Sequence, residues 1–206
     1  MVGLVGIEPT YLRSKRSICS SRFQASCKYM MQTSIIKKLS QSDLDPLKRE
    51  LESASHLWSK HDYGKEFQRP LRHGKSLLIH NLNMDRELVG DNRALFPNTI
   101  KVVSEWCDRS KENLGRSYWH TLGEEERIDT HVDKGRYFLA VDRFQVYLDV
   151  PSEANVTLDG KLWNYHEDTR LANSLVHFNM SELHFYFNAS KKPLTFLVMD
   201  FFKLQS

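Results

Sequence analysis

The stretch IDTHVDKGRYFLAVDRFQVYL, residues 128–148, decides the fold class that we expect for this chain of 206 residues. Polar and apolar residues alternate along it, and alternate side chains of a β-strand lie on the same face of a sheet. Arg143 and Gln145 therefore share one face of a predicted strand. His131 and Asp133 also share a face, which places an imidazole beside a carboxylate, and these two groups can bind a divalent metal together.

From Gly115 onward the sequence consists of short runs rich in Val, Phe, Tyr and Trp, separated by Gly, Pro, Asn and Asp. This pattern is typical of an antiparallel β domain. A second alternating run, ELHFYFN at residues 182–188, places His184 on one face and Phe185 on the other. The sequence therefore predicts a β core over residues 115–206.

Residues 30–114 carry helical signals instead. In SDLDPLKRELESASHLW, residues 42–58, apolar residues recur at intervals of three and four, which predicts a helix that packs by one face. A second helix is predicted from Asn98, as its N-cap, to Gly115, because glycine often ends helices. A strand is predicted near residues 77–82. We expect a mainly β, α+β protein whose N-terminal helical part packs on the β core.

The positive charge of the chain is concentrated at its N-terminus. Residues 1–29 hold five basic groups and one acidic group, which leaves 24 basic and 25 acidic groups in residues 30–206. A nearly neutral main part does not favour a nucleic-acid partner. Residues 1–29 have the composition of an organelle transit peptide. We favour instead a start codon placed too early, with Met30 or Met31 as the first residue, or a disordered leader.

Two features indicate a cytoplasmic protein without a membrane partner. No apolar run is long enough to span a bilayer, and Glu8 and Pro9 interrupt the opening apolar residues where a signal peptide would continue. The three cysteines are an odd number without zinc-site spacing, which suits a reducing compartment; they are Cys19, Cys27 and Cys107.

A metal site built on His131 and Asp133 needs a third ligand from elsewhere in the chain. We choose His184, because it lies on the polar face of the second alternating run; His177 is the main alternative and His166 a weaker one. Two histidines and a carboxylate on one side of a metal leave the other positions open, as in non-haem Fe(II) oxygenases. The remaining histidines are expected on the surface or in loops: His56, His61, His73 and His120.

Three segments within residues 115–202 resemble the aspartyl/asparaginyl β-hydroxylase superfamily, which includes bacterial free-proline hydroxylases. They are GRSYWHTLGEEERIDTHVDKG, RFQVYL and FNMSELHFYFNASKKPLTFLVMDF. The resemblance implies an Fe(II)- and 2-oxoglutarate-dependent oxygenase on a double-stranded β-helix, a jelly-roll or cupin-like fold. It also implies that His131, Asp133 and His184 bind the iron, with the carboxylate ligand of the proline-hydroxylase branch, and it selects His184 over His177.

The chain departs from the family at two positions that bind the co-substrate. The family's Arg-x-His motif stands here as Arg143 and Gln145, so the histidine is replaced. The family's arginine that pairs with the far carboxylate of 2-oxoglutarate, ten residues after the distal histidine, is Leu194 here. A buried carboxylate needs a cation or several donors. We therefore assign co-substrate binding to Arg143, Gln145 and Lys192, with Lys191 as an alternative to Lys192.

The resemblance implies hydroxylation of an aspartyl, asparaginyl or prolyl type of substrate, either free or within a peptide. Its contacts are expected in the loop of residues 149–170, with three candidates: Trp163, Tyr165 and Arg170. A degenerate metal-binding β-barrel without 2-oxoglutarate turnover is the alternative that Leu194 and Gln145 favour. A secreted sugar-binding jelly roll is a third class, which the lack of an export signal opposes.

Overall fold

The computed structural model describes residues 32–60, 74–164 and 170–203. All of the described residues belong to one compact unit. None of the described helices is long and apolar enough to cross a membrane. Several predictions fall outside the described residues: the leader at 1–29 with Met30 and Met31, the cysteines Cys19 and Cys27, and the candidates His61, His73, Tyr165 and His166.

The described residues contain three α-helices and twelve β-strands. The helices are α1 (Gln41–Ser53), α2 (Pro97–Cys107) and α3 (Arg136–Ala140). The strands of the first half are β1 (Ser34–Lys38), β2 (Ser59–Lys60), β3 (Lys75–Leu82), β4 (Leu88–Asp91), β5 (Leu114–Leu122) and β6 (Arg127–His131). Those of the second half are β7 (Val141–Asp149), β8 (Ala154–Leu158), β9 (Lys161–Asn164), β10 (Ser174–Phe178), β11 (His184–Asn188) and β12 (Leu194–Phe202).

Helix α1 begins one residue before the first predicted helix, with a capping box, and ends at Ser53, five residues before the predicted end. The Ser40 side chain accepts a hydrogen bond from the Asp43 backbone N–H, and the Asp43 carboxylate accepts one from the Ser40 N–H. This pair satisfies two amide groups that the first turn of a helix leaves without intrahelical partners. Leu44 and Leu47 are fully buried on the apolar face, so the predicted packing helix is confirmed.

Helix α2 confirms the second predicted helix but not its ends. Pro97 occupies the first turn, where the missing amide hydrogen costs nothing, so Asn98 lies inside the helix and does not cap it. The Asn98 backbone N–H instead donates to the Glu50 carboxylate of α1 at 2.7 Å. The helix ends at Cys107 because Asp108 adopts the left-handed conformation, and Gly115 lies in β5.

The strands form two antiparallel sheets. The large sheet has eight strands in the order β1-β10-β7-β12-β5-β3-β2, with β4 paired to β3, and the small sheet has the order β6-β11-β8-β9. Strand β12 lies at the centre of the large sheet, between β5 and β7, and all nine of its residues are buried. A strand that is covered on both faces has no solvated side, which explains the nearly continuous apolar run LTFLVMDFF.

Each face of the large sheet contributes to a separate hydrophobic core. On one face, Trp119 and Leu197 of the sheet pack with Leu47 of α1 and Val103 of α2. On the other face, residues of the large sheet such as Phe196 pack with residues of the small sheet such as Val156 and Tyr186. The alternation within β7 follows this division, because Phe144, Val146 and Leu148 enter the first core and Tyr147 enters the second.

The mainly β architecture with N-terminal helices and a double-stranded β-helix core is as predicted. The region before residue 115 is helical and also supplies strands, since β3 pairs with β5 and β1 pairs with β10 in the large sheet. The domain boundary at residue 115 stays a prediction, and strands from both sides of it form one continuous sheet.

Candidate metal centre

The two histidines of the predicted site meet across neighbouring strands of the small sheet. His131 is the last residue of β6 and His184 the first residue of β11, and they are direct partners in the antiparallel register. Antiparallel partners bring their side chains together on one face. Asp133 follows two residues after the end of β6, so it lies in a loop and not on a strand as its alternation with His131 suggested.

Local contacts hold Asp133 beside the two histidines. Its backbone N–H donates to the carbonyl of Met180, in the segment between β10 and β11, at 3.0 Å. Gly135 then turns the chain into α3 with a φ of +115°, a conformation that side-chain-bearing residues rarely adopt. The hydrogen bond to Met180 thereby ties this loop to the segment that leads into β11 and His184.

The ligand atoms of the three side chains converge on one point. One nitrogen or oxygen from each of His131, Asp133 and His184 lies within 4.8 Å of the others. The Asp133 carboxylate is 3.6 Å from His131 Nε2 through Oδ1 and 3.9 Å from His184 Nε2 through Oδ2. A set of two imidazoles and one carboxylate suits Fe(II), with coordination positions left over for other molecules.

The facing histidine nitrogens fit a bound cation. His131 Nδ1 is 2.8 Å from the Asp129 carbonyl, and His184 Nδ1 is 3.0 Å from the Glu182 carbonyl. A neutral imidazole that donates through Nδ1 presents a lone pair at Nε2. The two Nε2 atoms lie 2.9 Å apart, so two lone pairs would face each other, and a divalent metal converts that repulsion into coordination.

Electrostatics keeps His184 and Asp133 in the forms that bind metal. Burial, and then the neighbouring His131, lowers the pKa of His184 to about 4, so its imidazole is neutral at physiological pH. Burial disfavours the charged form of Asp133, but Arg143 and the two histidines favour it more strongly, and its pKa falls to about 2. Neutral imidazole and ionised carboxylate are the ligand forms that metal sites require.

Arg143 on β7 connects Asp133 to a second buried carboxylate. Its Nη1 donates to Asp133 Oδ2 at 2.5 Å. Its Nε and Nη2 donate to the two oxygens of Asp200 at 2.7 and 2.9 Å. The Asp200 side chain is fully buried, and a bidentate arginine–carboxylate pair has a fixed geometry. Asp200 on β12 therefore orients Arg143, and Arg143 orients Asp133.

Gln145 also lies in the site, oriented by two tyrosines. Its Oε1 accepts hydrogen bonds from the hydroxyls of Tyr147 at 2.5 Å and Tyr186 at 3.1 Å. Both phenols donate to the same oxygen, so the amide orientation is set by the hydrogen bonds around it. The Nε2 group of Gln145 is left as the donor that this side chain can offer to a ligand.

The three candidate ligands, Arg143 and Gln145 line one cavity between the two sheets. Its walls are formed by Tyr118, His120, Ile128, His131, Asp133, Arg143, Gln145, Phe178, His184, Tyr186, Phe196 and Val198. The aromatic side chains pack closely, with the Tyr186 and Phe196 rings stacked at 5.0 Å between centroids. The cavity therefore combines a cluster of potential metal ligands with a largely apolar wall.

His120 corrects one sequence expectation. It is neither a surface nor a loop residue, because it lies buried in β5 and lines the cavity. Its Nδ1 is 2.6 Å from Ser76 Oγ, and its ring lies 5.4 Å from the Phe196 ring. The sequence signal that was available is the position of His120 in the run SYWHTL, where alternation places it on the same face as Tyr118.

The other sequence candidates lie away from the cavity walls. Lys191 and Lys192 are exposed in the turn before β12, where Asn188 Nδ2 donates to the Lys192 carbonyl at 2.8 Å. His177 lies against Phe144, which belongs to the core on the opposite face of the large sheet. Leu194 is fully buried at the start of β12.

Trp163 and Arg170, the described candidates for substrate contacts, bind backbone carbonyls near the small sheet. Trp163 Nε1 donates to the Leu158 carbonyl at 3.1 Å, and Arg170 Nη2 donates to the Leu162 carbonyl at 2.9 Å. Neither residue is among the described residues that line the cavity. A role in substrate recognition stays a prediction for both.

Solved structures of similar fold include several hydroxylases. A prolyl-4-hydroxylase from Pseudomonas putida is 12% identical, with a TM-score of 0.55 over 87% of this chain and 96% of that chain. A prolyl hydroxylase from Trichoplax adhaerens, in complex with a fragment of the oxygen degradation domain of hypoxia inducible factor, is 10% identical, with a TM-score of 0.55 over 83% of each chain. At such identities the likeness shows the fold alone.

A third solved structure of this fold is the viral collagen prolyl hydroxylase from Paramecium bursaria Chlorella virus-1, as a complex with 2OG. It is 11% identical, with a TM-score of 0.51 over 85% of this chain and 97% of that chain. No curated protein sequence matches the chain. The sequence profile of aspartyl/asparaginyl beta-hydroxylases matches residues 43–203, from the first turn of α1 to the end of β12. This chain therefore belongs to the aspartyl/asparaginyl β-hydroxylase family.

Proposed function

We propose that this protein is an Fe(II)- and 2-oxoglutarate-dependent oxygenase that hydroxylates an amino-acid substrate of the aspartyl, asparaginyl or prolyl type. One observation carries the proposal: the Nε2 atoms of His131 and His184 face each other at 2.9 Å beside the Asp133 carboxylate. Family membership and the hydroxylase fold neighbours support the same reaction class.

In this proposal His131, Asp133 and His184 hold the iron. Iron, 2-oxoglutarate and dioxygen together supply the oxidising power, since decarboxylation of the 2-oxo acid to succinate accompanies insertion of one oxygen atom into a substrate C–H bond. Arg143 fixes the Asp133 carboxylate, and the Gln145 amide offers a hydrogen bond to a ligand carboxylate. The rings of Phe178, Tyr186 and Phe196 line the cavity and exclude water from the reacting atoms.

The substrate is proposed to be an amino acid, either free or within a peptide or protein. The Trichoplax adhaerens hydroxylase of this fold was solved with a peptide fragment, which supports a site that a peptide can reach. A cytoplasmic location is part of the same proposal, since the described residues hold one cysteine, Cys107, and it is a free, buried thiol.

An anaerobic titration of the Fe(II)-loaded protein with 2-oxoglutarate tests the proposal. Chelation of the metal by a 2-oxo acid produces a visible metal-to-ligand charge-transfer band, and we expect this band to grow and saturate. We expect His184→Ala to abolish it and His177→Ala, which changes a histidine on the other face of the sheet, to leave it intact. Iron binding without a band would contradict co-substrate binding, and a loss of iron binding in His177→Ala alone would contradict the ligand set.

A degenerate metal-binding barrel of the same fold is the second candidate. The observation that favours it is that Arg143 already binds two carboxylates, Asp133 and Asp200, while Leu194 stands at the position where the family has arginine. Such a protein would bind iron with the same three side chains but would show no charge-transfer band with any 2-oxo acid.

A further inference from the structure

The ionised side chains of the cavity set a limit on the charge that a ligand can bring. Arg143 is the only lysine or arginine among the described residues that line the cavity. Its guanidinium is buried and already paired with Asp133 and with Asp200. These three groups together leave one uncompensated negative charge in a site where burial makes unpaired charges costly.

Metal binding would reverse the sign of this net charge. A divalent ion converts the single negative charge into a single positive charge when both histidines bind as neutral imidazoles. One ligand carboxylate restores neutrality. A second ligand carboxylate would be an additional buried anion that needs a cation or several donors, and the described walls hold no lysine or arginine besides the paired Arg143.

The wall beyond the metal ligands, together with the hydrophobic core that Phe196 and Tyr186 of this wall belong to, offers neutral groups instead. Phe196 pairs with His120 across β12 and β5, and Leu194 pairs with Leu122 two residues further along the same strands. Leu122 and Leu194 are both fully buried in the core between the sheets. Nearby, the hydroxyls of Tyr147 and Tyr186 are directed at Gln145. Leucine and phenylalanine side chains solvate an uncharged group better than a carboxylate, and the two phenol hydroxyls already donate to Gln145 Oε1.

From this charge balance we infer that the site binds the far end of its 2-oxo acid through neutral and apolar contacts, so that an uncharged tail is accepted as well as a carboxylate. The inference rests on the proposed function and names the class of co-substrate for the same site. The co-substrate pocket takes 2-oxo acids with one carboxylate, and its selectivity for 2-oxoglutarate is weak.

The test compares two 2-oxo acids of nearly equal shape. In 5-methyl-2-oxohexanoate an isopropyl group replaces the far carboxylate of 2-oxoglutarate. Each acid is titrated anaerobically into the Fe(II)-loaded full chain and followed by the charge-transfer band, at a pH near 8 where an imidazole of ordinary pKa is uncharged. We expect the two dissociation constants to agree within about tenfold. A buried ion pair with the far carboxylate would instead separate them by about a hundredfold or more.

A substitution at position 194 provides a matched comparison. Leu194→Arg places a cation where the family has arginine, in the same core cluster as the cavity-lining Phe196, and is expected to shift the preference toward 2-oxoglutarate by about tenfold or more. Leu194→Met keeps an uncharged side chain of similar length and should leave the preference unchanged. Circular dichroism checks that both variants fold. If Leu194→Arg does not fold, the comparison of the two acids on the unaltered protein still tests the inference.

The outcomes separate this inference from the proposed function. A preference of about a hundredfold or more for 2-oxoglutarate in the unaltered protein would overturn the inference and support the proposed function, because it would require a cation at the far carboxylate. Iron binding with no band for either acid would overturn both. Bands of similar affinity for the two acids would support both.

Discussion

Asp200 binds Arg143 through two parallel hydrogen bonds, at 2.7 and 2.9 Å, in the interior between two sheets. The Asp200 side chain has no exposed surface and that of Arg143 has 7%. Removing one partner of such a pair leaves a buried charge uncompensated, which costs far more than the pair contributes in net stability. The pair is therefore expected to be one of the most sensitive points of the fold.

We expect Asp200→Asn to lower the free energy of unfolding by roughly 3–5 kcal/mol. Asparagine keeps the shape of the side chain but removes the charge that faces the guanidinium. The control is Asp129→Asn, which breaks an exposed ion pair with Arg127 and should cost no more than about 1 kcal/mol. Urea denaturation measures both variants, and equal losses for the two would contradict the assignment of a buried structural pair.

Metal affinity should depend on the three converging side chains individually. We expect His131→Ala, His184→Ala and Asp133→Ala each to weaken Fe(II) or Mn(II) binding by more than about a hundredfold, since even residues that only support a ligand change affinity by about 10- to 100-fold. Calorimetric titration under anaerobic conditions measures these affinities. His177→Ala should bind metal normally, because His177 packs on Phe144 outside the cavity. Unchanged metal binding in His184→Ala would contradict the proposed metal site.

The two tyrosines that bind Gln145 should act together. Either Tyr147→Phe or Tyr186→Phe removes one donor and leaves the other on Gln145 Oε1, so we expect a loss of about 0.5–1.5 kcal/mol from each. The double variant leaves that buried oxygen without a phenolic donor, and its loss should exceed the sum of the single losses by about 0.5–3 kcal/mol. Additive losses in a denaturation cycle would show that the two hydroxyls are not coupled through the shared acceptor.

Cys107 should resist alkylation in the folded protein. It is a buried residue near the end of α2, and burial raises the pKa of its thiol to about 12. The reactive thiolate is therefore scarce at pH 8, and its fraction should rise roughly tenfold for each pH unit until the pH approaches 12. Peptide mapping after iodoacetamide treatment measures modification at this residue. Rapid labelling of Cys107 at pH 8 without denaturant would contradict the buried thiol.

Local alternation was enough to predict most of the central strands. In β7 and β11 the side chains expected to share a face do so, because a covered sheet fixes which side of each strand meets which core. The termini of α2 were less predictable. Pro97 and the left-handed Asp108 set them, whereas Asn98 lies inside the helix and Gly115 inside β5, positions that their residue types disfavour but do not exclude.

The convergence of His131, Asp133 and His184 was predictable from the sequence, whereas the buried partner of Arg143 was not. His131, Asp133 and His184 belong to short patterns with a recognisable spacing. Asp200 and Arg143 lie on neighbouring strands but are 57 residues apart in sequence, so no local pattern connects them. Its one signal was a lone charged residue in the apolar run LTFLVMDFF. A charge inside a buried strand requires a partner, but the sequence does not name that partner.

The central place of β12 in the large sheet also constrains how the protein folds. The strand that separates β5 from β7 comes last among the described strands, so during synthesis both neighbours leave the ribosome before the segment that must lie between them. Until then their inner edges expose unpaired backbone groups and apolar side chains, which favours aggregation. Assembly of the barrel therefore awaits release of Leu194–Phe202, and a nascent chain arrested before this segment should be bound by chaperones or degraded, whereas one extended beyond it should fold.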